Sequence, residues 1–357
     1  MQTGIIGLPQ VGKTTLFRIL TKAHLEPRSA AATHVGVAKV PEPRLEELAA
    51  LYHPKKVTYA TVQYVDIGGM QKDRARDPAV LAPLRDVDAI AHVIRVFEDP
   101  AVPHAAGSID PLRDATNLEL ELILADHDQV LRRLERLEKD LKKKKDPALE
   151  NEKRVLDHCK VHLEAEKPLR ELPLAPEDRK AVSGFLFLSQ RPMLYVLNLG
   201  DAEAGALLTA VERHRLGPLA HRTNTAVVPI CGRLEAELAE MPDQEATELL
   251  ASYGFTEPGL HRVIRSTYDL LGLISFFTAG EPEVRAWTIR KGTSAVKAAG
   301  EIHSDIEKGF IRAEVVRWDD LLAAGSLPAA REKGKVRLEG RDYIVQEGDV
   351  ILFRHSG

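Results

Sequence analysis

Residues Gly7 to Phe17 read GLPQVGKTTLF and follow the short apolar run Gly4-Ile5-Ile6 almost at the start of the chain. They match GxxxxGK[ST], and few patterns constrain a fold as tightly. Gly7 and Gly12 let the backbone wrap around a phosphate with its N–H groups turned inward, which a Cβ would obstruct. That geometry needs a strand before the loop and a helix after it, so that the anion meets a helix N-terminus where the peptide dipoles favour negative charge. Lys13 would bring charge to the β- and γ-phosphates and act in catalysis, and Thr14 would offer a hydroxyl to Mg²⁺. Pro9, Gln10, Val11, Gly12 and Thr15 complete the expected nucleotide contact.

The chain around the motif agrees with this requirement. Short β-rich runs near Thr3 to Gly7, Val35 to Val40, Thr58 to Ile67 and Ala89 to Phe97 alternate with helical stretches at Lys13 to His24 and Pro43 to Tyr52. This is the grammar of a parallel sheet with crossover helices, an α/β fold. From Pro111 the texture changes, with Ile123, Val130 and Leu137 at a seven-residue spacing and His127, Leu134 and Leu141 between them. This reads as a coiled-coil seam. After KKKKDPALE, Leu149, Leu156 and Leu163 keep the spacing with Cys159 among them, which predicts a second helix folded back antiparallel on the first. The β/α pattern resumes at PMLYVLNL, continues through a helix around Ala202 to Arg215, and reaches TAVVPI. From Ile274 the runs EVRAWTI, GFIRAEVV, KVRLEG and DYIVQEGDVILF read as short strands, with a helix near Ser294 to Ile302. The expected organisation is a nucleotide-binding domain over 1–112 and 185–272, an inserted helical domain over 113–184, and a small α+β module over 273–357.

A phosphate cradle needs partners on neighbouring strand ends. YVDIGG places Asp66 after an apolar run, suited to hold Mg²⁺ directly or through water, and Gly69 at the DxxG spacing, suited to sense a γ-phosphate. The alternative is an Asp that caps the next loop. Met70 follows where many signalling GTPases carry a water-orienting glutamine, and a thioether cannot polarise water. Base recognition is expected from NLGD, Asn198 to Asp201, which keeps the asparagine and aspartate of NKxD but has Leu199 for the lysine. On the other reading, Asn198 ends a strand and Asp201 caps the following helix. Cys231 and Gly232 in PICGRLEAE fall where a backbone loop would pass beneath the base.

Composition narrows the partners. With 49 basic and 53 acidic residues the formal charge is -4, so a nucleic-acid contact would have to come from a local patch. The candidate patch is KDLKKKKD, Lys139 to Asp146, at the tip of the predicted hairpin, either a solvated turn or a contact with RNA phosphates. The two cysteines, Cys159 and Cys231, lack metal-ligand spacing and form no disulfide framework, which fits a reducing cytoplasm. No run approaches the length and apolarity of a membrane span, and no leader is read at the N-terminus.

Assembled, the motifs resemble the YchF/Obg-like ATPase family of translation-factor-related P-loop NTPases. The resemblance runs nearly end to end, through GLPQVGKTTLF, VGVAKVPEPRLEEL, DAIAHVIRVFEDP, PICGRLEAELAEM, FFTAGEPEVRAWTI, AAGEIHSDIEKGFIRAEVV and LEGRDYIVQEGDVILF. It implies a Ras-like domain with an inserted helical hairpin and a C-terminal TGS module of ubiquitin-like β-grasp fold. It also implies a preference for ATP over GTP linked to the lost lysine, association with ribosomes, and a monomer. Members carry an apolar residue where Ras-like proteins have glutamine, as Met70 does, and the family's proposed substitute is a loop histidine matched here by His104 in VPHAAGSIDP. An imidazole there would position or deprotonate the attacking water. The chain departs from the family at PRSAAATHVGV, where Ala30 or its neighbour replaces a Mg²⁺-binding threonine and Thr33 is the nearest hydroxyl. It departs again at MQKDRARDPAV, which replaces a glycine-rich stretch, and at Gln10, which replaces an asparagine. Two functions remain open: an NTPase acting on ATP or GTP, and a ribosome- or RNA-binding adaptor that holds nucleotide with little turnover.

Overall fold

A computed structural model describes residues 1–22, 33–68 and 78–356. The chain divides into two units, Met1–Val37 with Gln63–Leu270, and Ala38–Val62 with Leu271–Gly357.

The first unit is organised by a sheet of strand order β2-β4-β1-β5-β6-β7, where β1 is Gln2–Ile6, β2 His34–Lys39, β4 Thr61–Asp66, β5 Ala89–Arg95, β6 Met193–Asn198 and β7 Thr225–Ile230. β4, β1, β5, β6 and β7 are paired in parallel. The central strands β5 and β6 are buried at every position, as expected of strands covered on both faces. Helix α1, Lys13–Thr21, leaves the cradle and stops where Lys22 takes a left-handed φ of 52°, short of the expected His24.

The expected helical hairpin is present within the same unit. Helix α2 spans Pro43–Tyr52, α3 Pro78–Arg85, α4 Pro111–Lys143 and α5 Pro147–Glu164, the last two forming the hairpin. Both hairpin helices begin at Asp-Pro. Asp110 accepts from the Arg113 N–H at 3.0 Å and Asp146 from the Ala148 N–H at 2.9 Å, while each proline fills a first-turn position that lacks a partner anyway. The seven-residue positions Ile123, Val130, Leu137, Leu156 and Leu163 are buried in one cluster with Cys159. Arg133 of α4 reaches Glu152 of α5 at 2.7 Å and His127 lies 3.7 Å from Glu164, which fixes the antiparallel sense.

The second unit is a sheet of order β11-β10-β12-β8-β9-β3, where β3 is Val57–Thr58, β8 Leu273–Ala279, β9 Val284–Arg290, β10 Phe310–Arg317, β11 Arg337–Glu339 and β12 Asp349–His355. The helix Ala295–Ile302 packs on one face through Ala295, Ala298 and Ala299 against Phe276, Val315 and Phe353. Three features differ from the sequence reading. The stretch 38–62, expected in the nucleotide-binding domain, groups with the C-terminal residues: β3 pairs with β9, and Arg44 of α2 lies 5.3 Å from the Phe277 ring while its guanidinium bonds Glu42 and Glu347. β8 was not anticipated as a strand. DYIVQEGDVILF yields a strand only from Asp349, because the Asp349 carboxylate accepts from the Gln346 N–H at 2.9 Å and from Tyr343 Oη at 2.8 Å, and Gly348 takes a φ of 84°, closing a turn where the strand was expected.

Candidate nucleotide site

The carboxyl ends of parallel strands are where an open α/β sheet binds ligands. At this edge β1 runs into the loop Gly7 to Gly12, β4 ends at Asp66, β6 ends at Asn198, and β7 is followed by Cys231 and Gly232. The loop's glycines have structural necessity. A Cβ on Gly7, whose φ is 151°, would sit 2.5 Å from the Val93 carbonyl oxygen, and one on Gly12, at φ 98°, would sit 2.5 Å from Asn198 Nδ2. Gln10 also holds a left-handed φ of 61°, as the wrapped loop demands. Gly12 starts α1 without a capping side chain and with no acidic residue in the first turn, so the helix N-terminus keeps its N–H groups for an anion. Val11 is buried, Pro9 lies in the loop turn, and Thr14 and Thr15 are exposed on the first turn of α1.

Lys13 is 8% exposed and donates to the Gly7 carbonyl at 3.0 Å and the Leu8 carbonyl at 2.7 Å. Burial pushes its pKa down to about 8, partly offset by the negative charge of Asp66. Thr14 donates to Asp66 at 3.1 Å, so the two expected Mg²⁺ ligands meet across α1 and β4. A hydroxyl beside a carboxylate suits Mg²⁺, which prefers a few oxygen ligands and fills its octahedron with phosphate and water. No cluster of three or more His, Cys, Asp or Glu residues occurs among the described residues, so no dedicated protein cage for a metal is found there.

Asn198 joins the two loops. Its Nδ2 donates to the Val11 carbonyl at 2.9 Å and its Oδ1 accepts from the Gly232 N–H at 3.0 Å. This asparagine is 8% exposed and straps the cradle to the loop after β7, a role beyond ending a strand. Leu199 is buried in the core beneath, with its N–H bonded to the Ile230 carbonyl at 2.8 Å. Asp201 stays exposed at the rim, 3.1 Å from Arg233 and accepting from the Cys231 thiol at 3.4 Å, whose pKa burial pushes up to about 11. We expect Asn198→Ala to strand the Val11 carbonyl and the Gly232 N–H, at about 1–3 kcal/mol each. Thermal unfolding and nucleotide titration should both register the loss, and Asn198→Asp should not restore it because a carboxylate cannot donate to Val11.

His104 is held elsewhere. Its Nδ1 accepts from the Ala106 N–H at 3.1 Å, which leaves the proton on Nε2, 3.1 Å from Asp114 Oδ2 near the start of α4. No described contact joins it to Lys13, Thr14 or Asp66. Gly69, Met70 and Ala30 lie outside the described residues, and Thr33 is exposed just before β2.

Three residues of functional interest escaped the sequence reading. His92 of β5 is 1% exposed, and burial together with the Lys13 charge holds its pKa at about 3, so it stands neutral near the cradle. Its ring lies 5.9 Å from that of Tyr195 on β6, and Tyr195 Oη donates to Glu119 of α4 at 3.2 Å. Glu119 in turn pairs with Arg170 and Arg222. The visible signal was polarity inside a run of buried strand residues, as in AIAHVIR.

Comparison with known proteins agrees with this arrangement from end to end. Residues 2–131 match a family model described as "50S ribosome-binding GTPase", and residues 273–356 match the model YchF-GTPase_C, described as "Protein of unknown function (DUF933)". The chain is 41% identical over 364 aligned positions to a Bacillus subtilis protein named "Ribosome-binding ATPase YchF", covering 100% of this chain and 99% of that one. The chain belongs to the YchF family. A Haemophilus ducreyi protein of the same name is 42% identical, with 99% of this chain and 98% of the relative covered. The solved structure titled "Structure of the Schizosaccharomyces pombe YchF GTPase" superposes with a TM-score of 0.87 at 29% identity, covering 99% of this chain and 97% of that one. The fold of that structure is thus shared across nearly the whole chain, with the P-loop domain at its start.

Proposed function

We propose that this YchF-family chain is a ribosome-associated nucleoside triphosphatase that binds ATP in preference to GTP and hydrolyses it with Mg²⁺. The observation that carries the reading is the convergence of Gly7–Gly12, Lys13, Thr14, Asp66 and the Asn198–Gly232 strap on one sheet edge. Bacterial relatives named as ribosome-binding ATPases support the ribosomal partner, and a cytoplasmic site of action follows from it. No helix among the described residues is long and apolar enough to cross a membrane.

In the proposed reaction, water attacks the γ-phosphorus in line with the departing diphosphate. Lys13 and the loop N–H groups stabilise the charge that builds on the phosphoryl oxygens. Thr14 and Asp66 would hold Mg²⁺, which supplies further neutralisation of phosphate charge. His104, with its tautomer set by the Ala106 N–H on Nδ1, would orient the water through Nε2 once that atom turns from Asp114 toward the γ-phosphate. His104→Ala should lower steady-state phosphate release by about 10²-fold with nucleotide affinity unchanged, the range for loss of one acid-base group. Equal rates in the variant and the parent would remove His104 from the mechanism.

The ATP preference rests on Leu199, whose aliphatic side chain cannot serve as the lysine of NKxD. Competition of labelled ATP by unlabelled GTP tests it, and displacement at equal concentrations would make the protein unselective. The adaptor reading draws on Met70, which cannot orient water. Absence of nucleotide-dependent phosphate release, with binding intact and ribosomes present, would favour it.

A further inference from the structure

Where β11, β10 and β12 run side by side, one end of the second unit's sheet carries a row of charged and exposed apolar side chains that its own fold does not require. Ala313, Val315, Ile351 and Phe353 point into the core under the helix Ala295–Ile302. By the alternation of a strand, Arg312 and Glu314 of β10 and Leu352 and Arg354 of β12 point the other way. Glu314 is flanked in register by Leu338 of β11 and by Leu352. Arg312 stands directly opposite Arg354, and like charges in that relation are destabilising.

The single carboxylate in this row is already committed. Glu314 accepts from Arg354 at 2.9 Å and is also paired with Arg331. Arg312 has no carboxylate partner among the described residues, so positive charge exceeds negative on the patch. Beside it Leu338 is 62% exposed and Leu352 is 42% exposed. Guanidinium groups beside exposed aliphatic side chains match an acidic surface that also offers apolar groups. An RNA strand satisfies the arginines but has no aliphatic complement, and none of the patch residues named is an aromatic that could stack on bases.

We propose that this face docks an acidic, apolar polypeptide segment, with Arg312 and Leu338 as its anchoring residues. The inference stands apart from the nucleotide chemistry, since every residue named lies in the second unit. Arginine is enriched among residues that dominate binding energy, and charge pairing at an exposed rim adds salt sensitivity.

The test is fluorescence anisotropy of the full chain with a labelled short peptide of alternating glutamate and leucine, set against a labelled oligouridylate of matched charge. Saturable, salt-sensitive peptide binding is expected, weakened about tenfold or more by Arg312→Glu and by Leu338→Ser. Nucleotide affinity should stay at the parental value and thermal stability should not fall in either variant, because both side chains are exposed and Arg312→Glu also removes the like-charge pairing with Arg354; if Arg312→Glu disturbs folding, Arg312→Ala takes its place with the same expectation. Failure of the peptide to bind, binding indifferent to Leu338→Ser, or tighter binding of the oligouridylate at the same residues would each overturn the proposal.

Discussion

Lys13→Ala should abolish measurable phosphate release and weaken nucleotide binding by at least about 100-fold, and the parent protein should show the same dependence as a titration. The Lys13 ammonium is buried among backbone carbonyls, and its pKa falls from 10.5 to about 8. Between those two values the unfolded chain holds a proton that the folded, ligand-free chain has released, so stability rises with pH across that window. Nucleotide affinity should move in the opposite sense. Phosphate binds the charged amine, so affinity should decline by up to about tenfold per pH unit above pH 8, and binding there should take up a proton. Calorimetry in buffers of differing ionisation enthalpy reads that uptake directly. An affinity flat from pH 7.5 to 9.5 would show that Lys13 does not control phosphate binding.

The largest effect on stability is expected at Glu119. Its carboxylate sits 3% exposed between Arg170, whose side chain is fully buried, and Arg222. Burial already drives the Arg170 pKa down to about 10, which marks how poorly that site tolerates charge. Glu119→Ala leaves the guanidinium without its counter-charge and should cost about 3–5 kcal/mol. Arg222 keeps Glu171 at 2.8 Å and so suffers less. Exchanging both partners, Glu119→Leu with Arg170→Met, should recover most of the loss, because two apolar side chains can replace a buried pair at little cost. Urea unfolding followed by circular dichroism distinguishes the cases; a double variant as unstable as Glu119→Ala would show that the pair is held for more than charge compensation.

The phosphate loop was legible because its chemistry acts through the backbone. Only glycine fits where Gly7 meets the Val93 carbonyl and Gly12 meets Asn198, so the requirement is written in residue type. The hairpin was legible for a related reason: a seven-residue apolar spacing has no other efficient way to be buried, and its residues form one cluster. Contacts between distant segments leave no such local mark. The strap from Asn198 to Val11 and Gly232 spans 187 and 34 residues, and nothing within NLGD itself points to either partner. Residues 38–62 carry the same β/α texture as their neighbours, and only contacts with distant residues, the pairing of β3 with β9 and of Arg44 with Glu347, reveal where they belong. Nothing in the sequence marks Glu119, since its partners Arg170 and Arg222 come from distant segments.

That assignment of residues 38–62 bears on how the chain is made. The second unit draws its first strand and α2 from the early part of the chain and its remaining strands from the end. During synthesis at roughly 5–20 residues per second, the early piece must wait about 10–40 s for its sheet partners. Over that interval Leu45 and Leu48, both fully buried in the finished protein, have nothing from Leu271 onward to cover them. The same reasoning applies to dissection: a fragment starting at Leu271 would expose the Phe277 face that Arg44 lies against, so the C-terminal family match marks a region of sequence and not a piece that closes its own core.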